Sequence, residues 1–182
     1  MRVRAIAPHG ETVLVGIDGR GGSGKSTLAS DLARMLQCAL VVEFDDFYRT
    51  SHERSQPGDE VGGDFDWRRL RAQLLEPLTT GTAGRYRRYD WERDTLAEWH
   101  EVPAGGVVIV EGNYVTRPEL RGYFDLKIWV EAAYEVRLRR GLERDGEEAR
   151  ARWVEEWMPE EDRYVAAFHP AEHVDVIVSG EA

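Results

Sequence analysis

The sequence predicts an α/β fold in which helices cover both faces of a parallel sheet of about five strands. Five short apolar runs have the length of strands, and they are continuous rather than alternating, as in strands buried on both faces. Helical or strongly charged segments separate most of these runs, and a glycine-rich turn joins the first run to an amphipathic segment. Together these observations favour three layers: helix, sheet and helix.

The first part of the chain provides two strands with a helix between them. The runs TVLVGI and ALVVEF are predicted to be buried strands. The segment KSTLASDLARMLQ has the spacing of an amphipathic helix whose apolar positions are Leu28, Leu32, Met35 and Leu36. The second strand ends in the acidic turn DDFYR.

A long loop and a second helix follow. Residues 51–65 are rich in Gly, Ser, Pro and charge, which is typical of a loop. The segment DWRRLRAQLLEPL predicts a helix that starts near Asp66. Its inward positions are Leu70, Leu74, Leu75 and Leu78. After the turn TTGTAG, the segment RYRRYDW is predicted to be extended.

The second half of the chain provides three further strands, GGVVIVEG, DLKIWVEA and HVDVIVSG. A long, highly charged segment precedes the last of them. Its pattern predicts a helix with breaks near Gly146 and Pro159, because glycine and proline both disfavour helix interiors.

The composition is that of one globular domain over residues 1–182. A net charge of −10 argues against a general nucleic-acid binder, which normally carries a basic face. No apolar stretch has bilayer length, and the N-terminus lacks the apolar core of a secretory signal. The lone Cys38 is interpreted as a small core residue and agrees with a reducing compartment. We therefore expect a cytoplasmic protein without nucleic-acid or membrane partners.

The glycine-rich turn GIDGRGGSGKST contains the full P-loop pattern of glycine, four residues, glycine, lysine and serine. Its glycines let backbone N–H groups turn toward an anion, and the following helix adds its positive N-terminal end. Lys25 would reach the β- and γ-phosphates, and the Ser26 hydroxyl would ligate Mg²⁺. The turn therefore predicts a P-loop NTPase fold. The expected nucleotide-binding residues are Gly19, Gly21, Gly22, Ser23, Gly24, Lys25, Ser26 and Thr27.

Acidic residues follow two of the predicted strands. Glu111 ends the third apolar run, where it is predicted to ligate Mg²⁺ directly or through water. An acid of DDFYR at the end of the second strand can orient an alcohol and accept its proton during phosphoryl transfer. The chain has no Asn-Lys-x-Asp segment to read guanine, which argues against a regulatory GTPase.

The P-loop, DDFYR, DFDW, RRYDW, VIVEG and RRGLERD, in this order, resemble the uridine kinase and phosphoribulokinase family of small-molecule kinases. The resemblance extends from Val13 to Ser179, and DDFYR followed by DFD is its more specific part. It implies a five-stranded parallel sheet with a helical lid. It also implies Mg-ATP as donor and a hydroxyl of a small molecule, such as a nucleoside, as acceptor.

The resemblance also implies roles for individual residues. The family's catalytic aspartate falls on Asp45, which is also expected near the metal, while Asp46 has the alternative role of capping the next turn. Tyr48 and Tyr89 match residues that line the acceptor pocket. Asp66 matches an aspartate that binds a ribose diol, and a helix N-cap is an equally good interpretation.

The lid of the family corresponds to residues from about 137 to 165. Arg140 and Arg144 match the lid arginines, whose guanidinium groups would offset charge that builds up in the transition state. Arg137 and Arg139 are expected to be solvated.

The sequence departs from the uridine kinases at one position. Asp94 stands where these kinases have a histidine that reads the pyrimidine, and its carboxylate either faces the acceptor or points into solvent. Such a group would repel the carbonyl oxygens of uracil, which predicts that uridine is a poor substrate. Trp91 and Trp99 are candidates for flat apolar walls. A kinase of another small alcohol or vitamin precursor, or a non-catalytic nucleotide-binding regulatory module, remains the alternative.

Overall fold

The computed structural model describes residues 11–37, 39–54 and 60–181. Five parallel strands form its main sheet: β1 (Thr12–Gly19), β2 (Ala39–Glu43), β5 (Gly106–Glu111), β6 (Leu126–Glu131) and β7 (Val176–Ser179). Their order across the sheet is β2-β5-β1-β6-β7. The five strands predicted from the apolar runs are all present.

Helices lie along the chain between these strands. The α-helical segments are α1 (Lys25–Leu36), α2 (Ser51–Arg54), α3 (Trp67–Leu70), α4 (Glu76–Thr79), α5 (Tyr134–Asp145), α6 (Arg150–Arg152) and α7 (Met158–Phe168). A π-helical turn over Arg71–Leu75 joins α3 to α4, and a second over Trp153–Trp157 joins α6 to α7. Within the described ranges, no helix is long and apolar enough to cross a membrane.

Two hydrophobic cores cover the two faces of the sheet. On one face, Val15 and Ile17 of β1 pack with Ala29 and Leu32 of α1. On the other face, the strand side chains pack against the leucines of the α3–α4 segment and against Tyr164 of α7. Helices therefore cover both sides of a parallel sheet, as predicted, and the inward positions Leu70, Leu74, Leu75 and Leu78 are all buried.

Strand β2 is not buried on both faces as predicted. It is an edge strand that pairs only with β5 among the described strands, and the side chains of Leu40 and Val41 are exposed. Met35 of α1 was expected in the core, but it is 62% exposed. The prediction for β2 assumed neighbours on every side, and an edge position removes some of them. Helical spacing placed Met35 with the apolar positions of α1, but the buried residues of that helix include Ala29 and Leu32 and not Met35. Cys38 lies outside the described residues, as does part of the predicted loop at 55–59.

A second, two-stranded antiparallel sheet consists of β3 (Gly84–Asp90) and β4 (Thr95–Val102). The extended conformation of RYRRYDW is confirmed, whereas the partner strand β4 was not anticipated. The turn between the strands carries Asp94 with a positive φ of 51°.

The charged segment after β6 breaks at only one of the two expected positions. α5 ends at Asp145, and Gly146 follows with a φ of 87°. Pro159 does not break the helix, because it lies in the first turn of α7. The π-helical turn over Trp153–Trp157 directly precedes α7, so the hydrogen-bond pattern changes where Pro159 lacks an N–H.

Candidate active site

A cleft of about 1400 Å³ opens where the strands of the main sheet end. The phosphate loop, Asp45 after β2 and Glu111 at the end of β5 line its floor. Residues from α5 to α7, including Arg144, line the opposite side. The predicted phosphate, metal and lid residues are thus largely brought to one cavity, in which ligands of open parallel sheets normally bind.

The phosphate loop adopts a conformation that requires glycine. Gly22 and Gly24 have φ values of 73° and 101°, and a Cβ built on Gly22 would lie 2.5 Å from the Arg137 carbonyl oxygen. Of the eight predicted residues, Gly19 and Ser23 do not line the cleft. The Ser23 N–H donates to the Arg20 carbonyl at 3.2 Å, and its buried hydroxyl has no partner within the described part of the chain.

Lys25 and Ser26 are the first two residues of α1. Lys25 Nζ donates to the Arg20 carbonyl at 3.0 Å and to Asn113 Oδ1 at 2.7 Å. The N-terminus of a twelve-residue helix, with its positive dipole end, therefore adjoins the same cleft as the Lys25 ammonium. This arrangement suits a polyphosphate.

Glu111 lies close enough to Ser26 for the Ser26 side chain to lower the pKa of its carboxyl. Burial raises the pKa of the Glu111 carboxyl, and the charges of Asp45 and Glu43 raise it further, whereas Lys25 lowers it. A hydroxyl and carboxylates are the hard oxygen donors that Mg²⁺ prefers, so the residues present fit this ion. Within the described residues, no group of three or more His, Cys, Asp or Glu could hold a metal without other ligands. Phosphate oxygens and water would have to complete the coordination of Mg²⁺.

Asp45 and Asp46 differ in their partners. The Asp45 carboxylate lines the cleft and has no hydrogen bond within the described residues. Burial raises its pKa, and the positive charges of Lys25 and Arg144 oppose that shift. Asp46 accepts a hydrogen bond from the Tyr86 hydroxyl at 2.9 Å. Its carboxylate therefore binds to β3, and this bond takes the place of the turn cap suggested by the sequence. Of the two acids, Asp45 is the one available to a ligand.

An aromatic wall, consisting of Tyr48, Tyr89 and Trp91, lines the cleft away from the phosphate loop. The ring centroids of Tyr48 and Trp91 are 4.5 Å apart, and those of Tyr89 and Trp91 are 4.9 Å apart. Trp91 remains 56% exposed. Trp99, the other candidate wall, is not among the cleft residues and stacks with Arg85 instead. A flat ligand could pack against this wall.

The model of the Phosphoribulokinase / Uridine kinase family matches residues 14–170. The chain belongs to this family. A uridine kinase from Clostridium novyi (strain NT) is 31% identical over 167 residues, which cover 87% of this chain and 78% of that protein.

Two solved structures are similar to this member of the family. A possible uridine kinase from Bacillus stearothermophilus has a TM-score of 0.74 at 23% identity, covering 98% of this chain and 94% of that one. A protein from Silicibacter sp. TM1040, described as a candidate fructose transport system kinase, has a TM-score of 0.78 at 26% identity, with coverages of 97% and 93%. The fold is that of the P-loop kinases.

The structure places Asp64, and not the expected Asp66, among the residues that line the cleft. Asp66 accepts the Arg69 N–H at 3.0 Å as the N-cap of α3 and does not line the cleft. Asp64 does line it, and accepts a hydrogen bond from the Tyr48 hydroxyl at 3.0 Å. The sequence carried a signal for this, because Asp66 directly precedes the first helical residue, where an N-cap is favoured.

Asp94 lies in the cleft wall, but its carboxylate already accepts hydrogen bonds from other groups of the protein. Asp94 accepts hydrogen bonds from the Ser51 N–H at 2.8 Å, from the Ser51 hydroxyl and from the Tyr89 hydroxyl at 2.6 Å. These bonds lower the pKa of Asp94 to about 2. Because this carboxylate is bonded within the protein, a direct role of Asp94 toward the acceptor stays a prediction.

The two arginines predicted to belong to a lid, Arg140 and Arg144, differ in their contacts. Arg144 lines the cleft, donates to Asp145 and lies close enough to Asp45 to lower the pKa of that carboxyl. Arg140 donates to the Gly22 and Gly180 carbonyls at 3.3 and 2.8 Å, so it links the phosphate loop to the segment after β7.

Arg137 corrects a second expectation about the charged segment. It was expected in solvent, but it is buried and forms an ion pair with Glu161 at 3.1 Å. Arg139 is exposed, as expected.

Three further residues of the site were not singled out from the sequence: Asp18, Asn113 and Glu161. Asp18 is fully buried directly before the phosphate loop and accepts hydrogen bonds from five groups, including the Tyr164 hydroxyl at 2.7 Å. Burial raises its pKa, and the hydrogen bonds oppose the shift. An acid inside the otherwise apolar run TVLVGIDG was the available signal, because a buried carboxylate needs partners.

Proposed function

We propose that this protein is an ATP- and Mg²⁺-dependent kinase that transfers the γ-phosphoryl group to a hydroxyl of a nucleoside. The observation that carries the proposal is the convergence of Lys25, Asp45 and Arg144 on one cleft that continues into an aromatic wall. The family membership and the uridine kinases among its relatives favour the same assignment.

Each residue has a role that follows from its chemistry. Lys25 and the backbone N–H groups of the loop bind phosphate oxygens. Ser26 and Glu111 would hold Mg²⁺, which would offset charge on those oxygens. Asp45 orients the acceptor hydroxyl and accepts its proton. The acceptor oxygen forms a bond to the γ-phosphorus while the bond to the β–γ bridging oxygen breaks, and ADP leaves. Arg144 stabilises the negative charge of the transferring group.

The aromatic wall favours an acceptor with a planar face, such as a nucleobase. Asp64 has one carboxylate oxygen bonded to Tyr48, and the other oxygen can accept from a ligand hydroxyl. A second candidate is a kinase of another small alcohol. It is favoured by Asp94, whose carboxylate oxygens accept hydrogen bonds from Ser51 and Tyr89 within the protein.

The test is an ADP-release assay with Mg-ATP over a panel of nucleosides, sugars and other small alcohols, followed by mass spectrometry of each product. Turnover of a nucleoside supports the first candidate, and turnover of a sugar or other alcohol supports the second. Lys25→Ala and Ser26→Ala should abolish the signal, the first by removing a phosphate-binding cation and the second by weakening the Mg²⁺ site. Nucleotide binding without turnover of any acceptor would favour a non-catalytic regulatory module.

A further inference from the structure

Asn113 lies between a cation and an anion. Its Oδ1 accepts from Lys25 Nζ at 2.7 Å, and its Nδ2 donates to Glu161 Oε1 at 2.8 Å. An ammonium group only donates hydrogen bonds and an ionised carboxylate only accepts them. The two neighbours therefore permit only one orientation of the Asn113 amide.

Glu161 is held on three sides. Its Oε1 also accepts the Gly21 N–H of the phosphate loop at 2.8 Å, and its Oε2 accepts from Arg137 at 3.1 Å. Both members of this ion pair are buried. Glu161 thereby fixes α7 to the phosphate loop while it orients Asn113.

The backbone next to Asn113 is fixed independently. Asp18 accepts hydrogen bonds from the Tyr114 N–H at 3.0 Å and from the Thr116 N–H at 2.8 Å. Tyr114 has a φ of 69°, a conformation that non-glycine residues adopt only when neighbouring contacts hold it. Asn113 therefore cannot shift easily relative to the phosphate loop.

The consequence concerns the charge of Lys25. Two of its three N–H donors go to neutral oxygens, the Arg20 carbonyl and Asn113 Oδ1. No carboxylate of the described residues forms an ion pair with Lys25. The ammonium is thus held without an ion pair, although Asp45, Glu111 and Glu161 lie close enough for its charge to lower their pKa values. One donor remains for a phosphate oxygen.

We propose that Asn113 and Glu161 are positioning residues for Lys25: Glu161 orients the Asn113 amide, and the amide holds the lysine without neutralising it. This inference rests on the proposed function, because Lys25 is the residue proposed to bind the phosphates. It predicts that a residue of α7 without phosphate contact of its own controls nucleotide affinity through Asn113.

The test measures the affinity for Mg-ADP and Mg-ATP by calorimetry, which requires no acceptor. Asn113→Asp should weaken binding about tenfold or more, because Lys25 would pair with the new carboxylate instead of a phosphate oxygen. Glu161→Gln should also weaken it, because an amide can donate as well as accept and no longer imposes one orientation on Asn113. Glu160→Gln is the matched control on the same helix, since Glu160 contacts Gly62 and Arg163 rather than Asn113.

A double-mutant cycle separates positioning from general structural support. In an Asn113→Ala background, Glu161→Gln should cost less affinity than in the wild type, because no amide remains to be oriented and only the contacts with Gly21 and Arg137 are affected. Additive losses, or unchanged affinity in Asn113→Asp, would overturn the inference. If Glu161→Gln does not fold, as judged by thermal melting, Asn113→Asp decides the question by itself. Failure of the wild-type protein to bind either nucleotide would instead overturn the proposed function.

Discussion

Glu43 and Glu111 are register partners at the carboxyl ends of the neighbouring parallel strands β2 and β5. Such partners lie about 5 Å apart between strands, so two glutamates adjoin at the floor of the cleft. Burial raises the pKa of both carboxyls, and the negative charge of Asp45 adds to the shift in each case. A bound cation would relieve this repulsion.

This relationship predicts a change in Mg²⁺ dependence. Glu111→Gln should raise the Mg²⁺ concentration needed for half-maximal ADP binding by about 10–100-fold, the range typical of lost metal-site interactions. Glu43→Gln should have a smaller effect, because it removes a neighbouring charge and leaves the Glu111 carboxylate next to Ser26 in place. The exposed Glu101→Gln serves as the control. Unchanged Mg²⁺ dependence in Glu111→Gln would exclude Glu111 from the metal site.

Asp45→Asn should lower kcat by about 10²–10⁴-fold, the usual contribution of a general base, with little change in ATP affinity. Asp46→Asn is a closely matched control, because its side-chain oxygen can still accept from Tyr86. Steady-state kinetics with an accepted substrate and calorimetry with ATP measure the two quantities. If Asp46→Asn proved the more damaging change, Asp45 would not be the base.

The pH profile of kcat/KM should report on Asp45. A base must be ionised to accept a proton, so activity falls as the pH drops through the raised pKa of Asp45. Arg144 lowers that pKa, and Arg144→Gln should therefore move the acidic limb to higher pH as well as reduce the rate. Arg139→Gln, at an exposed position on the same helix, should leave the limb in place. If the acidic limb does not move in Arg144→Gln, Arg144 does not influence the pKa of Asp45.

Arg140→Lys and Arg144→Lys should give different kinetic defects. Arg140 binds backbone carbonyls of the phosphate loop and of Gly180, so its replacement should weaken nucleotide affinity. Arg144 lies near Asp45, and loss of its planar fork should lower kcat instead. Nucleotide affinity and kcat are measured for both variants. Identical changes in nucleotide affinity and kcat would show that the two arginines do not have separate roles.

Asp94→His should not raise the use of uridine relative to the preferred acceptor, because Asp94 supports Ser51 and Tyr89 rather than reading a base. We expect a higher KM for every acceptor, since the aromatic wall loses a fixed partner of Tyr89. The ratio of kcat/KM for uridine to that for the preferred acceptor is the measurement. A ratio that rises more than about tenfold, roughly 1.4 kcal/mol of discrimination, would show that Asp94 takes part in acceptor specificity.

The sequence by itself determined the features that depend on local context. The P-loop glycines, the helix that begins at Lys25 and the acids after β2 and β5 follow from residue types at fixed spacing. The parallel sheet followed from the length and continuity of the apolar runs. Family resemblance then predicted Asp45 as the catalytic aspartate, and in the structure the Asp45 side chain lines the cleft.

Tertiary structure decided which side chains meet. Glu161 reaches Asn113 and Gly21 across 48 and 140 residues of chain, and nothing local to α7 marks this glutamate among its many acidic neighbours. The same holds for Arg137, which is buried and forms an ion pair with Glu161. Likewise, the side chains of Leu40 and Val41 are exposed because β2 lies at the edge of the sheet. The apolar sequence of β2 does not indicate this edge position. Spacing along the chain fixes which face of an element a residue occupies, but burial and ion pairing depend on what packs against that face.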